Sequence, residues 1–246
     1  MSADVPYLTK SAIEAEANAL LAEFAREKYP VIAPPVPIDE IVELHLKLTF
    51  EIMDLQALFG HGDIHGAIWF HEKRIAIDTQ LDPEKNPAKR GRYHYTLAHE
   101  TGHWWLHRKH FLLRNDQKSL FGEVAPKPDV VCRSSDKKPI EWQADFFAAH
   151  LLMPRAMVKD AWEQWHCDVG PIALSDLSGE KQQEILTAEL LRRGSMTMGA
   201  DSHADAILEH LSRPLAEQFQ VSPGAMRIRL EDLGYLARKK EASLFD

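Results

Sequence analysis

Apolar residues recur along 11–29 at Ile13, Ala17, Leu20, Leu21 and Phe24, a spacing that predicts an amphipathic helix. Pro30, Pro34, Pro35 and Pro37 cannot continue it and predict an extended connector. Asp39 then stands where an N-cap would open a short helix carrying Ile41, Val42 and Leu46. Leu48, Phe50 and Ile52 alternate with polar neighbours, as a half-buried strand does. Gly60, Gly62 and Gly66 punctuate the next stretch, after which 67–70 and 74–78 predict a hairpin turning at 71–73. Beyond Asn86-Pro87 a helical period begins near Ala88 and runs through Leu106 or further.

Segment 113–138 carries charges, Gly122, Pro126 and Pro128 with little periodicity, and predicts a loop excursion. A strongly apolar helix follows over 140–153, stopped by Pro154. The last third is helical in pattern. Ile185, Leu186, Leu190 and Leu191 mark one helix closed at Gly194, and Ile207, Leu208 and Leu211 mark another. Residues 214–236 predict two short helices around Val221-Ser222. The pattern is that of an α+β protein: a small β-sheet with a hairpin packed on a helical domain, then an all-helical C-terminal extension. The expected division is 1–165 and 166–246.

Composition narrows the class without naming a function. The 246 residues can bury a core without disulfides, and 45% hydrophobic with 27% charged residues is ordinary for a globular chain. Lys+Arg 29 against Asp+Glu 37 gives −8, which argues against nucleic acid or an anionic membrane as the main partner. Two cysteines, Cys132 and Cys167, exclude a disulfide scaffold and point to a reducing compartment. Residues 1–10 lack the pattern of a signal peptide, and the longest apolar run, 146–153, is too short to span a bilayer. The expected location is the cytoplasm.

The chemistry lies in 99–103, His-Glu-Thr-Gly-His. Positions i and i+4 share a helix face, so His99 and His103 can present two imidazoles to one metal ion. Glu100 lies beside that face, where its carboxylate can reach a water held by the metal. Zinc lowers the pKa of such a water from ~15.7 to roughly 7, and a nearby carboxylate can take its proton during attack. Apolar flanks bury this helix, and Gly102 in its middle implies a close approach by another element.

A catalytic zinc needs a third protein ligand. One common solution places Gly and His three and six residues after the second histidine; Leu106 and Lys109 stand there instead. His107 is a further turn along, ~5.4 Å away, and is expected to be an exposed or core-edge histidine. Glu141, opening the second apolar helix, is the better candidate. Asp145, one turn on, can accept the other ring N–H of a ligand histidine and fix its tautomer. Such a donor set takes Mn or Fe as well as Zn.

TLAHETGHWWLH followed by EWQADFFAAHLLMP resembles the ImmA/IrrE family of bacterial metallopeptidases, over roughly 11–153. The resemblance implies a zincin-like helical domain in which His99, His103 and Glu141 bind zinc and Glu100 is the general base. It further implies a site-specific protease that inactivates a helix-turn-helix repressor of the XRE type and so switches on stress or mobile-element genes. The long segment 111–140, with Cys132 in it, departs from the family pattern and is expected to be a lid, a substrate-binding loop or a tether.

Tyr93, Tyr95, His107 and His150 are oxyanion-stabiliser candidates by residue type, with Tyr95 expected to pack in the core. His61 and His65 read as a solvated loop near the site, and neither cysteine is assigned a role. Residues 215–236 have the order of a helix-turn-helix unit, with Arg227, Arg229 and 238–240 as phosphate contacts on a DNA-binding reading. Glu217, Glu231 and Asp232 dilute that charge, so packing or grip on a protein substrate is the expectation instead. The alternative function is a DNA- or protein-binding regulator with a metal-stabilised, non-catalytic core.

Overall fold

The computed structural model describes residues 5–60, 63–115, 128–133, 138–167, 170–194 and 200–239. His61, Gly62, Lys240 and most of the 111–140 excursion lie outside them. In order come α1 (Lys10–Glu27), α2 (Ile38–Glu40) running into a π-turn at Ile41–His45, β1 (Thr49–Met53), α3 (Leu55–Phe59), β2 (Ile64–Trp69) and β3 (Arg74–Asp78). Then follow α4 (Arg90–Gly102), continued by a π-turn at His103–His107 into α5 (Arg108–Asn115), β4 (Val130–Arg133) and α6 (Pro139–Leu152). The remainder is α7 (Arg155–His166), β5 (Ile172–Ala173), α8 (Gly179–Arg193), α9 (Ala200–Phe219), α10 (Pro223–Asp232) and β6 (Leu236–Ala237).

In the first unit, Met1–Pro154, a four-stranded sheet has the order β1-β3-β2-β4. β1 runs parallel to β3, while β3–β2 and β2–β4 are antiparallel. Thr9 caps α1 by accepting from the Ala12 amide, and α1 buries Ile13, Ala17, Leu20 and Phe24. α1 packs on α6, α6 on α4, and α4 on β2 and β3, so α4 is covered on both sides. A Cβ on Gly102 would come within 3.1 Å of Phe147 Cδ1 and 3.2 Å of Ala144 Cα. The mid-helix glycine therefore lets α4 and α6 close on each other. On the sheet's other face Leu55, Ile64, Ala67, Trp69 and Ala76 form a separate small cluster, with Val131 against it.

Three sequence expectations change here. Asp39 does not cap α2; Pro37 holds that position, and Asp39 instead accepts a hydrogen bond from the Tyr93 hydroxyl on α4. The 113–138 excursion contains a strand, β4, whose pairing partner β2 is some sixty residues away. Its few apolar positions are too short a run to announce a strand locally. The unit boundary falls at Pro154, not 165, because α7 packs on α9 and its Trp162 stacks on Tyr235, ring centroids 5.3 Å apart.

The second unit, Arg155–Asp246, is helical apart from a parallel β5–β6 pairing, so the extension is not all-helical. Pro214 does not start a new helix. It sits inside α9, where the buried Leu208, Leu215, Ala216 and Phe219 hold the helix together across the one missing amide bond. α10 is capped by Ser222, whose hydroxyl accepts from the Ala225 amide. Arg227, Arg229 and Arg238 are paired within the unit: Arg227 with Glu231 (2.6 Å), Arg229 with Asp232 (3.1 Å) and Arg238 with Asp205 and Glu231.

Glu189 on α8 is buried and accepts from Arg213 (2.7 Å), Arg192 (2.9 Å) and His210 (3.0 Å). Burial alone would raise its pKa; these partners outweigh that and bring it down to about 2. A carboxylate lowered on folding contributes stability that is complete above its unfolded pKa, about 4.5, and is lost as pH falls toward 2. Glu189→Gln is expected to cost about 2 kcal/mol at neutral pH, less than a fully buried pair because Arg192 reaches solvent. Denaturant melts at pH 7 and pH 3 check this, since the difference between variant and wild type should shrink at pH 3.

Candidate metal centre

α4 carries His99, Glu100 and His103, and α6 carries Glu141 and Asp145. Glu141 lies in the first turn of α6, where the helix dipole favours a carboxylate. His99 Nε2 is 3.0 Å from His103 Nε2, and Glu141 Oε2 is 3.2 Å from the first and 3.4 Å from the second. Donors about 2.1 Å from one tetrahedral ion stand roughly 3.4 Å apart, so these three atoms have the spacing of a ligand face. All three side chains are buried, His99 2%, His103 0% and Glu141 4% exposed.

The hydrogen bonds around the site set the tautomers. Gln143 Nε2 donates to the Pro6 carbonyl (3.0 Å), which leaves Oε1 to accept from His107 Nε2–H (3.1 Å). His107 Nδ1 then has only a lone pair, and accepts from His103 Nδ1–H at 3.2 Å. Nε2 of His103 is thereby left unprotonated and aimed at the centre. Asp145 Oδ1 takes the Nδ1–H of His99 at 2.8 Å and turns that ring's Nε2 inward in the same way. Two imidazole lone pairs and a carboxylate converge on one point, an arrangement that repels itself without a cation.

Charge follows the same logic. Burial disfavours charge on His99, but Cys132, Asp145 and Glu141 outweigh it and raise its pKa well above the ordinary value. His103 is lowered, chiefly by burial. Burial would also raise Glu141; its hydrogen bonds to His103 and His99 instead hold it well below the usual carboxylate range. Among these side chains one positive charge is favoured, and a metal ion is the stronger way to supply it.

Glu100 is wholly buried, and neither of its carboxylate oxygens has a hydrogen-bond partner. Burial pushes its carboxyl up to about 8, His99 opposing the shift and Glu141 and Asp145 adding to it. An orphaned carboxyl in the interior costs stability. It stands beside His99, one of the three converging donors. β2 makes room for it: a Cβ on Gly66 would lie 2.4 Å from Glu100 Oε1.

His107 corrects the sequence expectation most clearly. It is fully buried, not exposed or at the core edge, and burial followed by the nearby His103 takes its pKa down to about 3. It touches His103 and orients it. Its i+4 position after His103 was visible in the sequence; the role was not, because Gln143 and Pro6, which make it, lie elsewhere in the chain. Cys132, assigned no role from sequence, stands with its sulfur, a His99 ring nitrogen and a Glu100 oxygen all within 4.8 Å of one another.

The other candidates are engaged elsewhere. Tyr93 donates to Asp39, and the Tyr95 hydroxyl donates to the Asp145 carbonyl at 3.1 Å, tying α4 to α6. His150 Nδ1 donates to the Phe146 carbonyl at 2.8 Å. His65 lies within β2, not in a turn, 2.9 Å from Arg92 Nη2, and Cys167 is exposed.

A cation held against a buried, unpartnered carboxylate is suited to hydrolysis, and the α+β frame that carries it is zincin-like. Residues 49–231 match the model of the peptidase M78 family, the IrrE N-terminal-like domain, so the protein belongs to that family and is a metallopeptidase. The match begins later than the sequence resemblance and reaches into the second unit. No curated protein matches the chain.

Proposed function

We propose that the protein is a zinc-dependent endopeptidase of the cytosol, with His99, His103 and Glu141 as metal ligands and Glu100 as general base. The observation that carries this reading is the 3.0–3.4 Å triangle of donor atoms beside a carboxylate with no other partner. A bound zinc ion supplies Lewis acidity, acidifying a water and polarising the scissile carbonyl; manganese could take its place. Glu100 takes the proton of the attacking water and passes it to the leaving amine. Asp145 and the His107–Gln143 pair keep both imidazoles in the tautomer that coordinates. Asp145→Asn is accordingly expected to weaken zinc binding by about tenfold, checked by competition with a chromogenic chelator.

The proposed substrate is a helix-turn-helix repressor of the XRE type, whose cleavage would release stress or mobile-element genes. A protein rather than DNA partner is favoured by the ion pairs that occupy Arg227, Arg229 and Arg238, and by Ile228, exposed on α10. Two free cysteines suit the cytosol, and no helix among the described residues is long and apolar enough to cross a membrane. The test incubates zinc-loaded protein with the repressor encoded nearest to its gene and reads intact mass. One defined cut, lost on chelation and restored by zinc, is the expected result. An uncut repressor alongside retained metal would sink the substrate assignment.

A further inference from the structure

Among the described residues two sets of metal-ligating side chains share one member. His99, His103 and Glu141 form the triangle described above. His99, Glu100 and Cys132 form a second set, whose ring nitrogen, carboxylate oxygen and sulfur lie within 4.8 Å of one another. Pairing in the sheet places the sulfur. Cys132 stands opposite Gly66, and a Cβ on Gly66 would meet Glu100 and Thr96, so that face of the β2–β4 pair looks onto α4. Val131, the neighbouring residue, packs into the cluster on the other face, as strand alternation requires. Glu100 supplies an independent sign of a ligand: it is wholly buried, and neither of its carboxylate oxygens has a partner. A cation between it and the sulfur would relieve that cost. Cys132 is in no disulfide, which leaves its sulfur for coordination.

We propose that His99, Glu100 and Cys132 form a second cation position, separate from the His99–His103–Glu141 position, that takes a thiophilic divalent ion such as cadmium(II) and stops peptide cleavage while it is filled. Sulfur with one imidazole and one carboxylate is a softer donor set than two imidazoles and a carboxylate, and soft donors select soft ions. Binding expels the thiol proton to solvent. Asp145 holds the Nδ1–H of His99, so Nε2 is the ring's one lone pair and serves one ion at a time. An ion in the second position therefore takes a ligand from the first and engages Glu100. The inhibition rests on the ligands and base proposed above; the binding position itself does not.

The test uses the full metal-free chain carrying Cys167→Ser, so that Cys132 is the one thiol, titrated with cadmium(II). A cadmium–thiolate bond gives an ultraviolet charge-transfer band. The expected result is that band, saturating at one ion per chain and absent in Cys132→Ser and Cys132→Ala. Glu100→Gln should weaken this cadmium at least about tenfold, no less than loss of an outer-sphere partner costs a metal site, and leave zinc affinity unchanged. Glu141→Gln and His103→Ala, which lie outside the set, should keep the band. Zinc added to the cadmium form should displace it, never raising the tightly held total above one ion per chain. Absence of the band would overturn the proposal, as would a band that Glu141→Gln and His103→Ala abolish while the helical circular-dichroism signal stays intact. One zinc and one cadmium held tightly together would overturn the exclusion. Zinc binding to Cys132→Ser that survives both His103→Ala and Glu141→Gln would remove the three-ligand reading and with it the inhibition, but not the position that the band reports.

Discussion

Glu100→Gln is expected to lower peptide cleavage by about a thousandfold and leave metal binding intact, on the general acid–base role proposed for this carboxylate. The two side chains are the same size, so the buried space beneath Gly66 is filled equally well. An amide cannot take a proton from water, and that is the property removed. The ligand triangle does not include Glu100, and neither of its oxygens bonds to another group, so no positioning contact is lost with it. Burial pushes the Glu100 carboxyl up to about 8. A cation beside it favours the carboxylate, so metal loading should move the acid limb of the rate profile below 8. The measurement is kcat over pH 5–9 on the cleaved substrate, with metal content determined on the same samples. Retention of more than about a tenth of the wild-type kcat would assign the base elsewhere.

Gly66→Ala is the second large effect, and it touches no ligand. The added methyl would stand 2.4 Å from Glu100 Oε1, 2.9 Å from Thr96 Cγ2 and 3.1 Å from Glu100 Cδ. Atoms do not approach that closely, so either the carboxylate turns away or α4 moves off β2. Displacing a catalytic group by about 1 Å costs on the order of a hundredfold in rate, which is the expected loss in kcat. Overpacking at a filled site adds a stability cost of about 1–3 kcal/mol. Metal content should be unchanged, because His99 and His103 face α6 and not the sheet position that is filled. Gly179→Ala, where an added Cβ meets nothing within 4 Å, is the control and should match wild type in activity. A Gly66→Ala protein with full activity would mean that Glu100 is not confined as the structure has it.

Periodicity placed α1, α4, α6, α8 and the β2–β3 hairpin close to where they stand, because each depends on contacts a few residues apart. His99, Glu100 and His103 were legible for the same reason: four residues make one turn of helix wherever that turn occurs. Gly102 announced a close approach, though not that Ala144 and Phe147 make it. Tertiary structure decided what depends on distant partners. β4 exists only because β2 pairs with it, and that pairing carries Cys132 from an apparent loop to the edge of the metal site. His107 and Gln143 acquire a role only when α4 and α6 lie side by side. Pro214 should have ended α9, yet the apolar face buried on both sides of it outweighs the single amide bond it removes. Local spacing fixes which atoms share a helix face; only the packed chain fixes which side chain, from which strand, stands opposite that face.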